Sequence, residues 1–460
     1  MGHTRLISNR KSQSGFSMRS AKILIQTYGC QMNVYDTEIM KRLLFPIGYE
    51  FTSSAKSADI ILINTCAIRE KAEQKVFSYL GRLALLKQNR TNLIIGVCGC
   101  IAQNLGKKLI QRAPYVDFVI GTHALFQLPT IIDQVWNQSH RKKVFVDFSD
   151  ELNELDPTQK PVLESDISSF VTIMRGCNNY CSYCVVPYVR GREISRSPEA
   201  IIDEIEIRVS KGTREVTLLG QNVNSYGKRE QSISFIKLLE RVNKIEGLFR
   251  IRFTTSHPKD FNEELMQAYV NLEKLCSHIH LPVQSGSNEI LRRMNRKYTR
   301  EDYLKKIENL KKACPDICIT SDFIVGFPGE TQKDFEDSLS LIGTVGYDSL
   351  FAFQYSDRLV APASRYNNKV DESLKRERLM ELLSVQSENT LKRNAGCIGK
   401  KYQVLVEGNS KRDSKQWTGR TSGNKIVNFN AQNIKKDLSA SLVDVFIEEA
   451  CAHSLRGIIV

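Results

Sequence analysis

Three strongly apolar runs in the first hundred residues each end at a cysteine. The runs are AKILIQTYGC, ADIILINTC and NLIIGVCGC, and they end at Cys30, Cys66 and Cys100. Stretches with helical spacing lie between them, and apolar runs that alternate with helices predict a buried parallel sheet with helices on its faces. The carboxyl ends of parallel strands share one edge, where ligands bind. We therefore expect this fold to bring the three cysteines to one place.

A second alternation of strands and helices begins after residue 167. Its six candidate strands are FVTIMRG, EVTLLGQN, FRIRFTTSHP, HIHLPVQSGS, CITSDFIVGFPGE and SLFAFQYS. Six such units are too few for a closed eight-stranded barrel, so we expect a partial (β/α)6 barrel with its site at the carboxyl ends of the strands. Residues 151–167 are acidic, contain two prolines and lack periodicity, which indicates a linker between the two regions.

From about residue 396 the apolar positions alternate as in β-strands, and Gly, Asn and Ser interrupt them. A segment of this length and pattern suits a small closed β-barrel, a shape often used to bind RNA. The formal net charge of the chain is +14, and residues 392–425 hold nine basic residues against two acidic ones. A basic patch concentrated in so short a segment favours a nucleic acid partner over a surface that only faces solvent.

The loop after the first strand of the partial barrel contains three cysteines, Cys177, Cys181 and Cys184, spaced C-x3-C-x2-C. A structural zinc site needs four ligands, and the next histidine after this loop is His257. Three thiolates on a 4Fe-4S cubane leave one iron open to a group that is not protein. The spacing is the signature of radical S-adenosylmethionine (SAM) enzymes, in which SAM binds the open iron. This hypothesis is favoured over zinc.

Spacing alone says less about the amino-terminal cysteines, because cysteines at strand ends are often buried apolar residues. Their expected convergence argues for a second cluster, again with an open iron. Cys98 competes with Cys100, and we favour Cys100 because it follows Gly99, beyond the strand. The remaining cysteines are interpreted as core residues or unligated thiols.

No apolar run approaches the roughly 18–20 residues that a membrane helix needs. No secretory signal is visible, so the twelve cysteines favour metal binding or catalysis over disulfides, and we expect a cytoplasmic protein. Residues 1–20 are basic, contain several serines and lack acidic residues. They predict a short disordered tail, although a transit peptide has a similar composition.

Motifs along the chain together resemble the methylthiotransferases, a family of radical SAM enzymes. The motifs are TYGCQMNVYDTE, NTCAIREKAEQKVF, GCIAQ, RGCNNYCSYCVVPYVRGREISRSPE, LLGQNVNSYG, HLPVQSGSNEILRRMNRKYTREDY, DFIVGFPGET and GRTSGNKIVNF. The similarity covers residues 21–460. TYGCQMN, VPYVRGRE and GRTSGNK favour the branch that modifies isopentenylated adenosine in tRNA. One departure is YSDRLVAPAS at 355–364, where family members usually resemble YSPRPGTPA.

The resemblance implies a domain organisation beyond the tail and the linker. It divides the rest of the chain into an auxiliary-cluster domain (21–150), a radical SAM core (168–394) and a TRAM RNA-binding domain (395–460). Cys177, Cys181 and Cys184 would hold the SAM-binding 4Fe-4S cluster. Cys30, Cys66 and Cys100 would hold an auxiliary 4Fe-4S cluster.

The resemblance also implies the reaction and its partners. The enzyme would methylthiolate carbon 2 of N(6)-(dimethylallyl)adenosine on the 3′ side of the anticodon. One SAM would donate the methyl group, a second would supply a 5′-deoxyadenosyl radical, and sulfur would be delivered at the auxiliary cluster. The implied partners are that tRNA and a reducing, flavodoxin-like electron donor. No side chain is assigned as a catalytic acid or base.

Two further sets of residues are predicted to bind ligands. Polar and backbone groups at strand ends are expected to contact SAM, with tight strand-to-helix turns as the alternative: Gly220, Gln221, Gln284, Ser285, Ile324 and Gly326. Basic residues of the last domain are expected to grip tRNA phosphates: Arg412, Lys415, Arg420 and Lys425. The rival functions are methylthiolation of a threonylcarbamoyladenosine tRNA or of a ribosomal protein, and non-catalytic RNA binding with structural metal.

Overall fold

The structure is a computed structural model that describes residues 21–67, 70–137, 142–149, 166–411, 413–431 and 436–460. The predicted tail and most of the predicted linker lie outside these residues. Two compact units are present. The first contains the described residues up to Gly29, together with Asp36–Cys66 and Lys71–Asp147. The second contains Cys30–Tyr35, Ala67–Glu70 and the described part of Phe148–Val460.

A six-stranded sheet forms the centre of the first unit. Its strands are β1 (Lys22–Tyr28), β2 (Glu50–Phe51), β3 (Ile60–Thr65), β4 (Ile94–Gly99), β5 (Phe118–Ile120) and β6 (Lys143–Phe145). The helices of this part of the chain are α1 (Gln31–Leu44), α2 (Glu70–Asn89), α3 (Cys100–Leu105), α4 (Lys107–Arg112) and α5 (Leu128–Asn137). The strand order is β2-β1-β3-β4-β5-β6, and every pair is parallel. All residues of β3 and β4 are buried, which confirms the predicted sheet.

The second unit begins with a half-open barrel. The strands of this part of the chain are β7 (Ser168–Thr172), β8 (Met174–Arg175), β9 (Ile194–Ser195), β10 (Glu215–Leu219), β11 (Arg250–Phe253), β12 (His278–His280), β13 (Cys318–Val325) and β14 (Ser349–Gln354). Of these described strands, β8 and β9 pair only with each other, as a small antiparallel sheet outside the barrel. Its helices are α6 (Val186–Val189), α7 (Pro198–Ser210), α8 (Phe235–Asn243), α9 (Glu263–Asn271), α10 (Asn288–Arg293), α11 (Arg300–Ala313), α12 (Gln332–Val345) and α13 (Glu372–Ala395). Two parallel sheets, β7-β10-β11 and β12-β13-β14, are joined by a bridge between Ile251 and Leu275. These six strands are the predicted partial barrel.

Side chains of β13 alternate between the two faces of the sheet. Ser321 and Phe323 are buried on the outer face, where the helices pack. Thr320, Asp322 and Ile324 are only partly buried on the inner face. Because successive side chains of a strand point to opposite faces, the less buried set lines the inside of the half-open barrel.

The chain ends in a five-stranded closed barrel, here called the terminal barrel. Its strands are β15 (Lys401–Asn409), β16 (Trp417–Thr421), β17 (Ile426–Asn430), β18 (Leu442–Ala450) and β19 (Leu455–Ile459), in the order β15-β16-β17-β19-β18. Apolar residues of β15, β17, β18 and β19 fill the interior, among them Val404, Val427, Phe429 and Val445. This confirms the predicted small β-barrel. No helix among the described residues is long and apolar enough to cross a membrane.

The turn between β16 and β17, residues 421–425, packs on the amino-terminal ends of the half-barrel strands. Arg252 donates hydrogen bonds to the carbonyl oxygens of Thr421 (2.8 Å) and Ser422 (2.7 Å). A Cβ on Gly423 would overlap the sulfur of Cys318, the first residue of β13. This hairpin, called the docking hairpin below, therefore closes the end of the half-open barrel opposite the expected site.

Candidate metal and cofactor centre

The loop Cys177–Cys184 follows β7 and β8 at the carboxyl end of the half-open barrel. Cys177 and Cys181 are buried, and Cys184 is partly buried. The Cys184 N–H donates to the Cys181 carbonyl oxygen (2.9 Å), and the Val186 N–H points at the Cys184 sulfur (3.5 Å). The loop folds back on itself, and one backbone donor already faces a sulfur, as a thiolate ligand requires.

Gly176, immediately before the first cysteine, has a φ of 81°. A Cβ at this position would overlap the carbonyl oxygen of Arg192, so a side chain is excluded both by conformation and by space. The Gly176 N–H donates to the side-chain oxygen of Gln221 (2.5 Å). Gln221 follows β10, so the start of the cysteine loop is fixed by the neighbouring strand end.

Two side chains from separate loops face the Cys181 sulfur: His257, after β11, and Arg296, between α10 and α11. The Nε2 of His257 lies 3.9 Å from it, and Nη1 of Arg296 lies 3.4 Å from it. His257 Nδ1 accepts from the Lys259 N–H (3.2 Å), so the ring proton lies on Nε2, toward the sulfur. Burial, together with Arg296 and Lys259, holds the pKa of His257 far below its usual range, so the ring is neutral.

Arg296 is held by three further contacts, and only 3% of its surface is exposed. Its Nη1 donates to the Tyr183 hydroxyl (3.1 Å), its Nε to the Tyr298 hydroxyl (2.8 Å) and its Nη2 to the Pro282 carbonyl oxygen (2.5 Å). A buried guanidinium held by these hydrogen bonds beside a sulfur would stabilise a thiolate.

Burial raises the pKa of the Cys177 thiol to about 11 and also raises the pKa of the Cys184 thiol. Metal ligation needs the thiolate, so these groups lose their protons when a cation binds. Among the residues that the structure describes, no three Cys, His, Asp or Glu side chains form a preorganised metal site. The loop nevertheless fits a cubane through its three thiols and the donors aimed at Cys181 and Cys184.

Buried polar atoms without a partner among the described residues lie near this loop, after β10 and β11. They are Nε2 of Gln221, both amide atoms of Asn224 and the hydroxyl of Ser256. Buried polar groups are normally hydrogen-bonded, so such a group implies a ligand or water. The amino, carboxylate and ribose groups of SAM would satisfy donors and acceptors of this kind.

Among the predicted SAM contacts, the structure gives Gly220 a clear packing role. A Cβ at Gly220 would collide with the Met174 side chain. Gln221 combines its bond to Gly176 with an unpartnered amide nitrogen, so it can serve both the turn and a ligand.

Gln284 and Ser285 form the turn after β12. Gln284 has a φ of 78°, and its backbone hydrogen-bonds to Asp322 and Ile324 of β13. Ser285 is fully buried, and its hydroxyl lies 3.4 Å from that of Ser338. The turn interpretation therefore accounts for the hydroxyl of Ser285. The Gln284 side chain, 8% exposed, remains a predicted SAM contact.

Ile324 and Gly326 lie at the end of β13. The Gly326 N–H donates to Oε2 of Glu330 (2.6 Å), and that carboxylate lies 2.8 Å from Arg378. Gly326 has a φ of 69°, and a Cβ there would overlap Lys375. The loop after β13 is thus locked by a buried ion pair, and Ile324 presents its side chain to the inner face of the barrel.

The amino-terminal cysteines follow strands that end side by side. Tyr28 of β1 lies opposite Thr65 of β3, and Thr65 lies opposite Gly99 of β4. Cys66 and Cys100 come directly after two of these ends, and Cys30 comes two residues after the third. Cys30 belongs to the second unit and the other two to the first. The auxiliary cluster therefore stays a prediction.

Cys98 lies inside β4, in register with Asn64 and Ile120. It is fully buried, and this burial raises the pKa of its thiol to about 12. Cys100 instead begins α3, beyond the strand. These positions agree with the argument that favoured Cys100, and they leave Cys98 as part of the sheet.

The predicted RNA-binding residues have different surroundings. Arg412 lies outside the described residues, and Lys415 is exposed. Arg420 pairs with Glu407 (2.9 Å) and is about one third exposed. Lys425, in the docking hairpin, is 14% exposed, and its ammonium nitrogen lies 2.8 Å from a carboxylate oxygen of Asp348. Its charge is therefore paired within the protein.

Sequence reasoning did not assign His257, Ser256 and Asn224 to the site. All three follow strands of the half-open barrel, in the segments TTSHP and GQNVNS. The signal that could have found them is their position just after a strand, where the topology gathers residues at one edge.

Comparison with protein families gives three matches that divide the chain. Residues 22–121 match the Uncharacterized protein family UPF0004, residues 171–342 the Radical SAM superfamily, and residues 396–460 the TRAM domain.

Curated relatives are similar over nearly the whole chain. A protein of Desulfosudis oleivorans is 49% identical over 95% of this chain and 97% of its own length. A protein of Syntrophus aciditrophicus is 50% identical over 98% of this chain and 97% of its own length. A protein of Geobacter metallireducens is 49% identical over 96% of this chain and 99% of its own length. Each is named tRNA-2-methylthio-N(6)-dimethylallyladenosine synthase.

Solved structures support the fold. The radical S-adenosylmethionine methyltransferase TsrM from Kitasatospora setae, with cobalamin and a [4Fe-4S] cluster bound, matches with a TM-score of 0.55 and 14% identity, over 75% of this chain and 77% of that chain. A second structure of TsrM, with tryptophan and a SAM analogue, gives a TM-score of 0.53 and 13% identity over 80% and 89%. At this identity the likeness concerns the fold alone. The near full-length similarity to the curated relatives, together with the cysteine loop at the barrel's carboxyl end, establishes that the chain belongs to the radical SAM family of tRNA-2-methylthio-N(6)-dimethylallyladenosine synthases.

Proposed function

We propose that this protein adds a methylthio group to carbon 2 of N(6)-(dimethylallyl)adenosine next to the anticodon of tRNA, on its 3′ side. The observation that carries the proposal is the Cys177–Cys184 loop at the carboxyl end of a half-open barrel, in a chain 49–50% identical to enzymes named for this activity. The cofactors are SAM and 4Fe-4S clusters. They supply one-electron chemistry and sulfur, which an inert aromatic C–H bond requires.

The chain's own residues hold and orient these groups. Cys177, Cys181 and Cys184 are proposed to ligate the SAM-binding cluster, and Arg296 and the neutral His257 donate hydrogen bonds to the Cys181 sulfur. The unpartnered groups of Gln221, Asn224 and Ser256 provide polar contacts for SAM at the same strand ends. Burial of Cys177 and Cys181 limits the access of water to these two sulfurs.

Cys30, Cys66 and Cys100 are proposed to ligate the auxiliary cluster that delivers sulfur. The support is topological, because the strands that precede them are neighbours in the sheet and end in register. The domain boundaries proposed from the sequence, 21–150, 168–394 and 395–460, follow the same assignment.

The partner is a tRNA, held in part by the terminal barrel. Lys415 is exposed, and Arg420 is partly exposed, so these two residues are available for phosphate contacts. The alkylated adenosine lies in a single-stranded loop, which makes its base accessible. A flavodoxin-like protein is the proposed electron donor, and the cytoplasm is the proposed location.

The decisive experiment is mass spectrometry of tRNA nucleosides from a strain that lacks the gene. We expect loss of the 2-methylthio mark with the dimethylallyl group retained, and restoration by the intact gene. Restoration should fail when any of Cys177, Cys181 or Cys184 is changed to Ala. Persistence of the mark in the deletion strain would exclude the proposed substrate.

Iron and acid-labile sulfide in anaerobically reconstituted protein test the two ligand sets. About eight irons are expected for two cubanes. Cys100→Ser should lower this to about four, whereas Cys98→Ser, inside β4, should leave it unchanged. Equal loss in both variants would contradict the assignment of Cys100.

A further inference from the structure

The inner face of β14 carries two large aromatic side chains that no core covers. Phe351 is 55% exposed and Phe353 is 37% exposed, whereas Leu350, beside Phe351, is buried. Their register partners on β13 are Asp322 and Ile324, which line the inside of the half-open barrel. Single exposed apolar residues are common, but two on one inward face of a strand indicate a surface that binds something.

A pair of polar side chains borders this aromatic surface. His280 Nε2 lies 3.4 Å from a carboxylate oxygen of Asp322, and His280 Nδ1 lies 3.0 Å from the hydroxyl of Thr320. The rings of His280 and Phe351 are 6.3 Å apart and meet edge to face. The inner wall thus offers a flat apolar face beside hydrogen-bonding groups, which suits a neutral heterocycle better than a charged ligand.

The location of this wall fits a substrate. β14 is the last strand in the order of its sheet, so the inner face is open to the side. The docking hairpin covers the amino-terminal end of β13, at Cys318. At the other end the loop after β14 contacts the cysteine loop, since the Ala363 N–H donates to the Ser182 carbonyl oxygen (2.8 Å). A ligand on this wall would lie between the closed end and the cysteine loop.

We propose that Phe351 and Phe353, with the His280–Asp322 pair, bind the alkylated adenine of the substrate RNA and select for its apolar N(6) substituent. The inference rests on the proposed function and deepens it. Unstacked bases bind to aromatic side chains, and a branched hydrocarbon substituent gains from the same apolar surface. A substituent with a carboxylate, such as threonylcarbamoyl, would instead meet two phenyl rings and the carboxylate of Asp322, which disfavour it.

Binding of matched anticodon stem-loop RNAs to the iron-loaded protein, measured anaerobically by fluorescence anisotropy, tests this inference. The RNAs carry dimethylallyladenosine, threonylcarbamoyladenosine or plain adenosine at the same position. The unaltered protein should prefer the dimethylallyl RNA. Phe351→Ala and Phe353→Ala should each weaken that binding roughly tenfold, as expected for one lost stacking contact, with a smaller effect on the plain RNA. Asp322→Asn should improve binding of the threonylcarbamoyl RNA.

Met380→Ala is the matched control, because Met380 is a large apolar side chain of α13 that is 68% exposed. The preference of this variant for the dimethylallyl RNA should equal that of the unaltered protein. Iron content and melting temperature show that each variant is folded, and Phe351→Leu and Phe353→Leu replace any alanine variant that is not. An unchanged preference in the folded Phe variants overturns the inference. If the unaltered protein shows no preference and forms no methylthio product, the proposed function itself has failed.

Discussion

The ammonium nitrogen of Lys425 lies 2.8 Å from a carboxylate oxygen of Asp348, and both side chains are largely buried. The other oxygen of Asp348 accepts from Arg393 at 3.2 Å. The three residues come from the terminal barrel, the segment just before β14 and helix α13. A basic residue that the sequence suggested for RNA binding therefore joins the terminal barrel to the half-open barrel.

Lys425→Ala should lower stability, whereas Lys415→Ala should not. Removal of Lys425 leaves a buried carboxylate with one fewer partner, at a cost of about 1–3 kcal/mol in the free energy of unfolding. Urea unfolding of the two variants measures the difference. Lys415→Ala should instead reduce the salt dependence of tRNA binding by about one unit of slope. Equal stability of the two variants would show that the Asp348 pair contributes nothing.

Gly176→Ala should prevent assembly of the SAM-binding cluster. The added methyl group would overlap the Arg192 carbonyl oxygen in a backbone conformation that disfavours alanine, so the cysteine loop must shift. Iron content after reconstitution should fall by about half. Gly343→Ala in α12 is the control, because a Cβ there meets nothing within 4 Å. Normal iron content in Gly176→Ala would mean that the loop tolerates the shift.

Arg296→Gln should make the SAM-binding cluster harder to reduce. The guanidinium places a positive charge and a donor 3.4 Å from the Cys181 sulfur, and both favour the more negative, reduced cluster. A redox titration followed by electron paramagnetic resonance should show a lower reduction potential. Arg296→Lys, which keeps the charge, should recover part of the shift. An unchanged potential in Arg296→Gln would restrict Arg296 to a structural role.

Glu204 should contribute stability that depends on pH. Burial alone would raise the pKa of this carboxyl, but Arg196 and Arg208 outweigh it and lower the pKa to about 2. Because the folded-state pKa lies below the ordinary value, the stabilisation is present above about pH 4.5 and is lost as the pH falls toward 2. Glu204→Gln should therefore cost about 3 kcal/mol at pH 7, as expected for a broken buried ion pair.

The measurement is the melting temperature of both proteins across this range. The difference in melting temperature between the unaltered protein and Glu204→Gln should be largest near pH 6 and should decrease below pH 4.5. A gap that is independent of pH would assign the effect to packing. Glu199→Gln is a suitable control, because the Glu199–Arg241 pair is exposed.

The strands, their order along the chain and the placement of Cys177, Cys181 and Cys184 follow from apolar runs and local spacing, which the sequence displays directly. The surroundings of Cys181 do not. His257 reaches it from the loop after β11 and Arg296 from the loop between α10 and α11, and only the closure of the half-open barrel brings them together. Lys425 shows the same limit for charge, since a sequence reveals a cation but not its buried partner, Asp348.

The docking hairpin also fixes the distance between the terminal barrel and the cysteine loop. It holds the terminal barrel at the amino-terminal ends of the strands, while the cysteine loop lies at their carboxyl ends. Strand β13, with 8 residues, separates these ends by roughly 26 Å. The terminal barrel is therefore held at a fixed distance from the cysteine loop rather than joined to it by a flexible linker. Under the proposed function, an RNA that contacts both the terminal barrel and the cysteine loop must span this distance, and a shorter fragment would contact only one of them.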